Sequence, residues 1–105
     1  IPKSKKYDLV TCNKVIEHIE NPNSFVKEIK NASKKNGYLY IEVPDINNLF
    51  LKKTSDNSLG PLHYNLYSKN GLSKLINIKD FNVLFFETII EPSSKVSLIF
   101  LGKYK

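Results

Sequence analysis

The feature that most constrains this chain lies in its first 44 residues: an apolar run, a capped helical stripe, then a second apolar run. Tyr7 to Asn13 reads as a strand, because Leu9 and Val10 are contiguous apolar residues and Thr11 favours extended backbone. Its nearly continuous apolar character predicts burial on both faces, as in a parallel sheet. Asn21-Pro22-Asn23-Ser24 then opens a helix, since Asn caps free amides and Pro is tolerated at the first helical position. Phe25, Val26, Ile29 and Ala32 form one apolar stripe, with Lys27, Glu28, Lys30 and Lys34 on the water side. Asn36-Gly37 is expected to end this helix, Gly accepting a left-handed cap at little cost. Tyr38 to Val43 is a second strand, closed by Pro44. Strand, helix, strand is a βαβ unit, with parallel strands and a right-handed crossover.

The remainder reads as an extension of that sheet. Between strand and helix, Lys14 to Glu20 is short enough for a single helical turn, with Val15, Ile16 and Ile19 at helical spacing. Asp45 to Tyr67 loses any sustained period, and its place after a strand's carboxyl end fits a lid or substrate loop over residues 46–67. Ser68 caps a helix whose core face is Leu72, Leu75 and Ile76. Asn82 to Ile90 and Val96 to Tyr104 are two further strands. The short turn Glu91-Pro92-Ser93-Ser94 makes them an antiparallel hairpin. The fold class is α/β.

Composition narrows the function classes. At 105 residues the chain is one domain or part of one, and 41% hydrophobic with 25% charged residues is a globular balance. The net charge of +6 comes from lysine alone, scattered in short pairs at Lys5-Lys6, Lys34-Lys35 and Lys52-Lys53. Without a clustered patch or any guanidinium fork, a nucleic-acid partner is not expected. Cys12 is the single cysteine, which excludes an internal disulfide and suits a reducing, cytoplasmic compartment. No apolar run approaches the ~18 residues of a membrane span, and no membrane partner is expected. The sequence begins at Ile1 and contains no Met, so it is expected to be a fragment or a processed product.

From Tyr7-Asp8-Leu9-Val10 through Asn36-Gly37-Tyr38-Leu39-Tyr40-Ile41-Glu42-Val43-Pro44, the chain resembles the class I S-adenosylmethionine-dependent methyltransferases. It looks most like their small-molecule branch, whose fourth strand is followed by a Glu-His-Ile/Val, acidic or Asn, Pro run. That run is Glu17-His18-Ile19-Glu20-Asn21-Pro22 here. The family's later pattern is similar to His63-Tyr64, Ser68, Leu72 to Ile76 and Phe81-Asn82-Val83. One departure is the turn Lys35-Asn36-Gly37, where the family usually has a Pro-Gly-Gly type. The other is that the family's first three strands, with the Gly-rich loop and the ribose-holding acid, are missing. In a family sheet ordered 3-2-1-4-5-7-6, this chain supplies 4-5-7-6, with the seventh strand antiparallel. The resemblance thus implies that residues 1–105 are the C-terminal half of a partial Rossmann-like sheet with helices packed on it. The N-terminal cofactor-binding half is absent. The opening strand then has a bare edge, which predicts self-association.

The same resemblance implies S-adenosylmethionine as cofactor and a small-molecule acceptor, the fragment itself being inactive or binding weakly. It sets Cys12, Asn13, Lys14, Val15 and Glu17 at the strand end that touches the cofactor. Proton removal from an acceptor hydroxyl or amine favours an imidazole near neutral pH. The catalytic candidates are therefore His18 and His63, each with a structural alternative, in which His18 orients the short helix and His63 caps or decorates the surface. Glu17 can also pair with His18, but two ligands are too few for a metal ion, and no metal is expected. Cys12 reads better as a buried small residue than as a nucleophile. Asp45, Asn47, Tyr64 and Tyr67 border the expected acceptor site. The rival readings are a non-catalytic α/β binding module and a methyltransferase-like scaffold subunit.

Overall fold

A computed structural model of the protein describes residues 5–44, 67–90, 92 and 96–105. Strand β1 spans Tyr7–Asn13 and leads through one 3-10 turn, Ile16–His18, into helix α1, Pro22–Ala32. Strand β2 is Ser33–Pro44 and helix α2 is Lys69–Ile76; a second 3-10 turn at Ile78–Asp80 precedes β3, Phe81–Ile90, and β4, Val96–Tyr104. The four strands form one sheet in the order β1-β2-β4-β3. β1 and β2 run parallel, while β4 is antiparallel to both β2 and β3. This is the α/β half-sheet that the sequence implied, with the last strand inserted between the second and the third.

The helices form where their ends are satisfied. The Asn21 side chain accepts from the Ser24 N–H at 3.3 Å and Pro22 takes the first turn, where its missing donor costs nothing. Ser68 caps α2 by accepting from Gly71 N–H at 3.0 Å, and Asn77 ends it in the left-handed region at φ 56°. Val26 and Ile29 of α1 and Leu72 and Ile76 of α2 join Leu39, Ile41, Val43, Leu98 and Phe100 in one core on one face of the sheet. Phe100 is fully buried and meets Phe81 and Phe86 edge-on, at centroid distances of 5.2 and 5.3 Å.

Two local expectations are corrected. The helix ends at Ala32, not at Asn36-Gly37, and Ser33 is already extended and pairs with Tyr7. The pairing then slips, and the next partners are Leu9 and Tyr38, so residues 34–37 form a bulge in β2. Within it Asn36 takes the left-handed conformation at φ 63°. Gly37 serves a different need. A Cβ there would lie 2.9 Å from the Lys34 carbonyl oxygen and 3.1 Å from that of Asp8, both backbone atoms with little freedom to move.

β1 is also not buried on both faces. Val10 and Cys12 turn toward the core, whereas Tyr7, Leu9 and Thr11 are exposed, Leu9 by 54%. Among the described residues the helices pack on one face only, so the outward side chains of β1 have nothing to cover them. The same applies at the opposite edge, where Val83, Leu84 and Phe85 of β3 are exposed.

Candidate functional site

The carboxyl ends of β1 and β2 lie side by side, with Cys12 opposite Ile41 and Asn13 opposite Glu42. Lys14 leaves the sheet in the left-handed region at φ 56°, an uncommon conformation for a residue with a side chain. Its N–H donates to the Glu42 carbonyl at 2.8 Å, which fixes where the chain departs. Its ammonium lies 3.6 Å from Glu42 Oε2, and the Tyr40 hydroxyl donates to Oε1 at 2.9 Å. Glu42 is therefore a buried carboxylate with both oxygens engaged. Sequence reasoning missed it as a site residue. Its signal is a lone acid in the otherwise aromatic and aliphatic run Tyr38 to Val43.

The 3-10 turn that follows buries Ile16 completely and carries Glu17 inward with it. Glu17 is only 1% exposed, yet its Oε1 has no hydrogen-bond partner. Its Oε2 lies 3.8 Å from His18 Nε2, and the His18 side chain is 40% open to solvent. Tyr67, just ahead of α2, is buried as well, and its hydroxyl too lacks a hydrogen-bond partner. Burial raises the Tyr67 phenol above its ordinary pKa, and the nearby Glu17 carboxylate raises it further.

The structure thus brings Cys12, Lys14, Glu17, His18 and Tyr67 to one end of the sheet. Asn13 and Val15 are there too, but exposed. His63, Asp45, Asn47 and Tyr64 lie outside the described residues. Among the described residues no three His, Cys, Asp or Glu side chains converge in a metal-binding group.

Cys12 is the small buried residue that its apolar setting predicted. Burial pushes its thiol up from 9.0 to about 11. At pH 8 its thiolate fraction is then lower than that of an ordinary protein thiol by about 100-fold. Thiol-specific reagents are accordingly expected to modify the native protein at least about 100-fold more slowly than the unfolded chain. The same shift makes stability pH-dependent. The native state holds the proton more tightly, so the contribution is intact below pH 9.0 and is lost as pH rises toward about 11. Tyr67 and Tyr104, both raised chiefly by burial, act in the same direction. Denaturant midpoints should fall over this alkaline window, and Cys12→Ala should flatten part of the slope. Rapid labelling of native Cys12 at pH 8 would contradict its burial.

A parallel-to-antiparallel α/β half-sheet, with polar groups gathered where two parallel strands end, is the architecture of nucleotide-type cofactor sites in open sheets. A sequence model described as "Methyltransferase domain" matches residues 1–87, and the chain belongs to that family. Over 41 residues, 39% of this chain, it is 42% identical to a ubiquinone biosynthesis O-methyltransferase of Glaesserella parasuis and spans 17% of that protein. Its fold is similar to that of a Thermotoga maritima SAM-dependent methyltransferase, described as a possible histamine N-methyltransferase. The TM-score is 0.71 at 19% identity, over 97% of this chain and 59% of the other. It is similar as well to the Burkholderia thailandensis 1,6-didemethyltoxoflavin-N1-methyltransferase, solved with its substrate and S-adenosylhomocysteine. There the TM-score is 0.67 at 15% identity, over 95% of this chain and 44% of the other. The chain therefore spans less than two thirds of the length of each of these relatives.

Proposed function

We propose that this chain takes part in methyl transfer from S-adenosylmethionine to a small-molecule acceptor, as the C-terminal half of a methyltransferase domain. The observation that carries the reading is Glu17: a nearly fully buried carboxylate at the end of a parallel strand, with one oxygen left without a partner. Such a group is costly unless a ligand completes it, and a cofactor rich in hydroxyl and amino donors fits that need. When bound, S-adenosylmethionine supplies an electrophilic methyl group on a sulfonium centre. The protein's part is then mainly alignment.

In this reading Cys12, Asn13, Lys14, Val15 and Glu17 border the cofactor at the end of β1. Glu42, held by Tyr40 and Lys14, fixes the angle at which the chain leaves the sheet. His18, half open to the crevice, takes the proton from an acceptor O–H or N–H. Tyr67 borders the acceptor, and His63, Asp45, Asn47 and Tyr64 are assigned to its far side. The small-molecule acceptors printed for the relatives support this substrate class. Among the described residues no helix is long and apolar enough to cross a membrane, and the buried Cys12 thiol suits the reducing cytoplasm.

Calorimetry with S-adenosylhomocysteine tests the reading, alongside transfer of label from methyl-labelled S-adenosylmethionine to small phenols and amines. The whole protein is expected to bind stoichiometrically and transfer label, and residues 1–105 alone to bind weakly or not at all. Tight binding by these 105 residues alone would refute the division of the cofactor site. Absence of binding by the whole protein would refute methyl transfer.

A further inference from the structure

Two buried polar groups in this structure lack partners, and they come from distant parts of the chain. Glu17 sits on the 3-10 turn after β1 and Tyr67 immediately before α2; both are more than nine-tenths buried. Glu17 Oε1 and the Tyr67 hydroxyl are the buried side-chain polar atoms that make no hydrogen bond among the described residues. Leaving either one unsatisfied costs about 1–3 kcal/mol, so chance retention of both is unfavourable. They are near neighbours, because the Glu17 charge adds to the upward shift of the Tyr67 phenol. They do not satisfy each other, since neither has a hydrogen bond. One oxygen is an obligate acceptor if the acid is ionised, and the other carries a proton to donate. The group that completes both at once must donate to the carboxylate and accept from the phenol. A hydroxyl does this, whereas an ammonium has no lone pair to accept with.

We propose that Glu17 and Tyr67 form a single two-point subsite for a ligand hydroxyl, which donates to Glu17 Oε1 and accepts from the Tyr67 O–H. This rests on the methyl-transfer reading only for where the hydroxyl comes from: the ribose of the cofactor or an alcohol or phenol acceptor. Glu17 then has divided work. Its Oε2 faces His18 Nε2 at 3.8 Å and its Oε1 faces the ligand. The sequence reading put Glu17 with the cofactor and Tyr67 with the acceptor. The subsite joins them, and so lies where the two ligands meet.

The test uses the protein with its tyrosine ring carbons labelled at Cζ, the Tyr67 signal being assigned by Tyr67→Phe. In a pH titration without ligand, the Tyr67 phenol should titrate above the ordinary tyrosine range, and Glu17→Gln should bring it down. No change in Glu17→Gln would overturn the pairing. S-adenosylhomocysteine and then catechol are added in turn. A shift of the Tyr67 signal with the first assigns the hydroxyl to the ribose, and a shift with the second assigns it to the acceptor. In either case Tyr67→Phe should weaken that probe by about 3- to 10-fold. Movement with neither probe, or unchanged affinity in Tyr67→Phe, would overturn the subsite. If S-adenosylhomocysteine binds but Tyr67 stays silent to both probes, the methyl-transfer reading stands and the subsite falls. If catechol moves Tyr67 while S-adenosylhomocysteine binds nowhere, the subsite stands and the methyl-transfer reading falls.

Discussion

Phe100→Ala is expected to lower stability by about 3–5 kcal/mol, a large part of the ~5–15 kcal/mol that holds a domain of this size. The ring is fully buried in β4, which sits between β2 and β3 and pairs with both. Phe100 lies opposite Ile41 on one side and Phe86 on the other, and Phe81 closes over it edge-on. Truncation therefore removes contacts to three strands at once. The neighbours cannot collapse into the space, because the sheet's backbone pairing fixes their positions. Gly102 reports the same tightness from the other direction: a Cβ there would sit 2.5 Å from the Phe100 ring and 3.1 Å from Phe81. Phe85→Ala on the exposed side of β3 is the matched comparison, with an expected loss of at most about 1 kcal/mol. Chemical denaturation followed by circular dichroism measures both. Equal losses would mean that the core is not organised around Phe100.

The order of elements could be read from the sequence because each carries its own local instruction. Asn21-Pro22 and Ser68 cap their helices as the residue types require, and the β-branched and aromatic run from Val96 to Tyr104 is a strand end to end. Asn36-Gly37 misled for a physical reason. The pair specifies a left-handed backbone position, and a helix cap and a strand bulge both need one. What decides between them is Ser33 meeting Tyr7, a pairing between residues that local chemistry does not register. The face exposure of β1 was hidden in the same way. Leu9 and Val10 are both apolar, but only Val10 has helices over it.

The site divides along similar lines. Glu17-His18 was visible as an acid beside an imidazole just past a strand, and the structure places the pair there. That Glu17 turns inward while His18 turns out follows from Ile16, whose burial sets the phase of the 3-10 turn. The nearness of Tyr67 to Glu17 could not be read, since it depends on how α2 docks against α1 and the sheet. Glu42 was overlooked because an acid ending a strand ordinarily faces water. Here Tyr40 and Lys14 satisfy it in place.

His18→Ala is expected, under the methyl-transfer reading, to lower kcat by about 10²–10⁴-fold with an acceptor that loses a proton on methylation. The imidazole is placed for that work. It stands one residue beyond a buried carboxylate, on a turn whose neighbours are packed, with its own ring 40% open to the crevice. Glu17 Oε2 at 3.8 Å from Nε2 favours an imidazole that gains charge as it takes the proton. Because the ring is largely solvated, its removal should leave folding stability within about 1 kcal/mol and affinity for S-adenosylhomocysteine within about 2-fold. Those two controls separate a base from a residue that only props up the turn, since a prop would cost stability and cofactor affinity together with rate. Single-turnover kinetics measures the chemical step, apart from product release. Unchanged kcat in a folded His18→Ala protein would take His18 out of the chemistry and leave Glu17 and Tyr67 to orient an acceptor that needs no base.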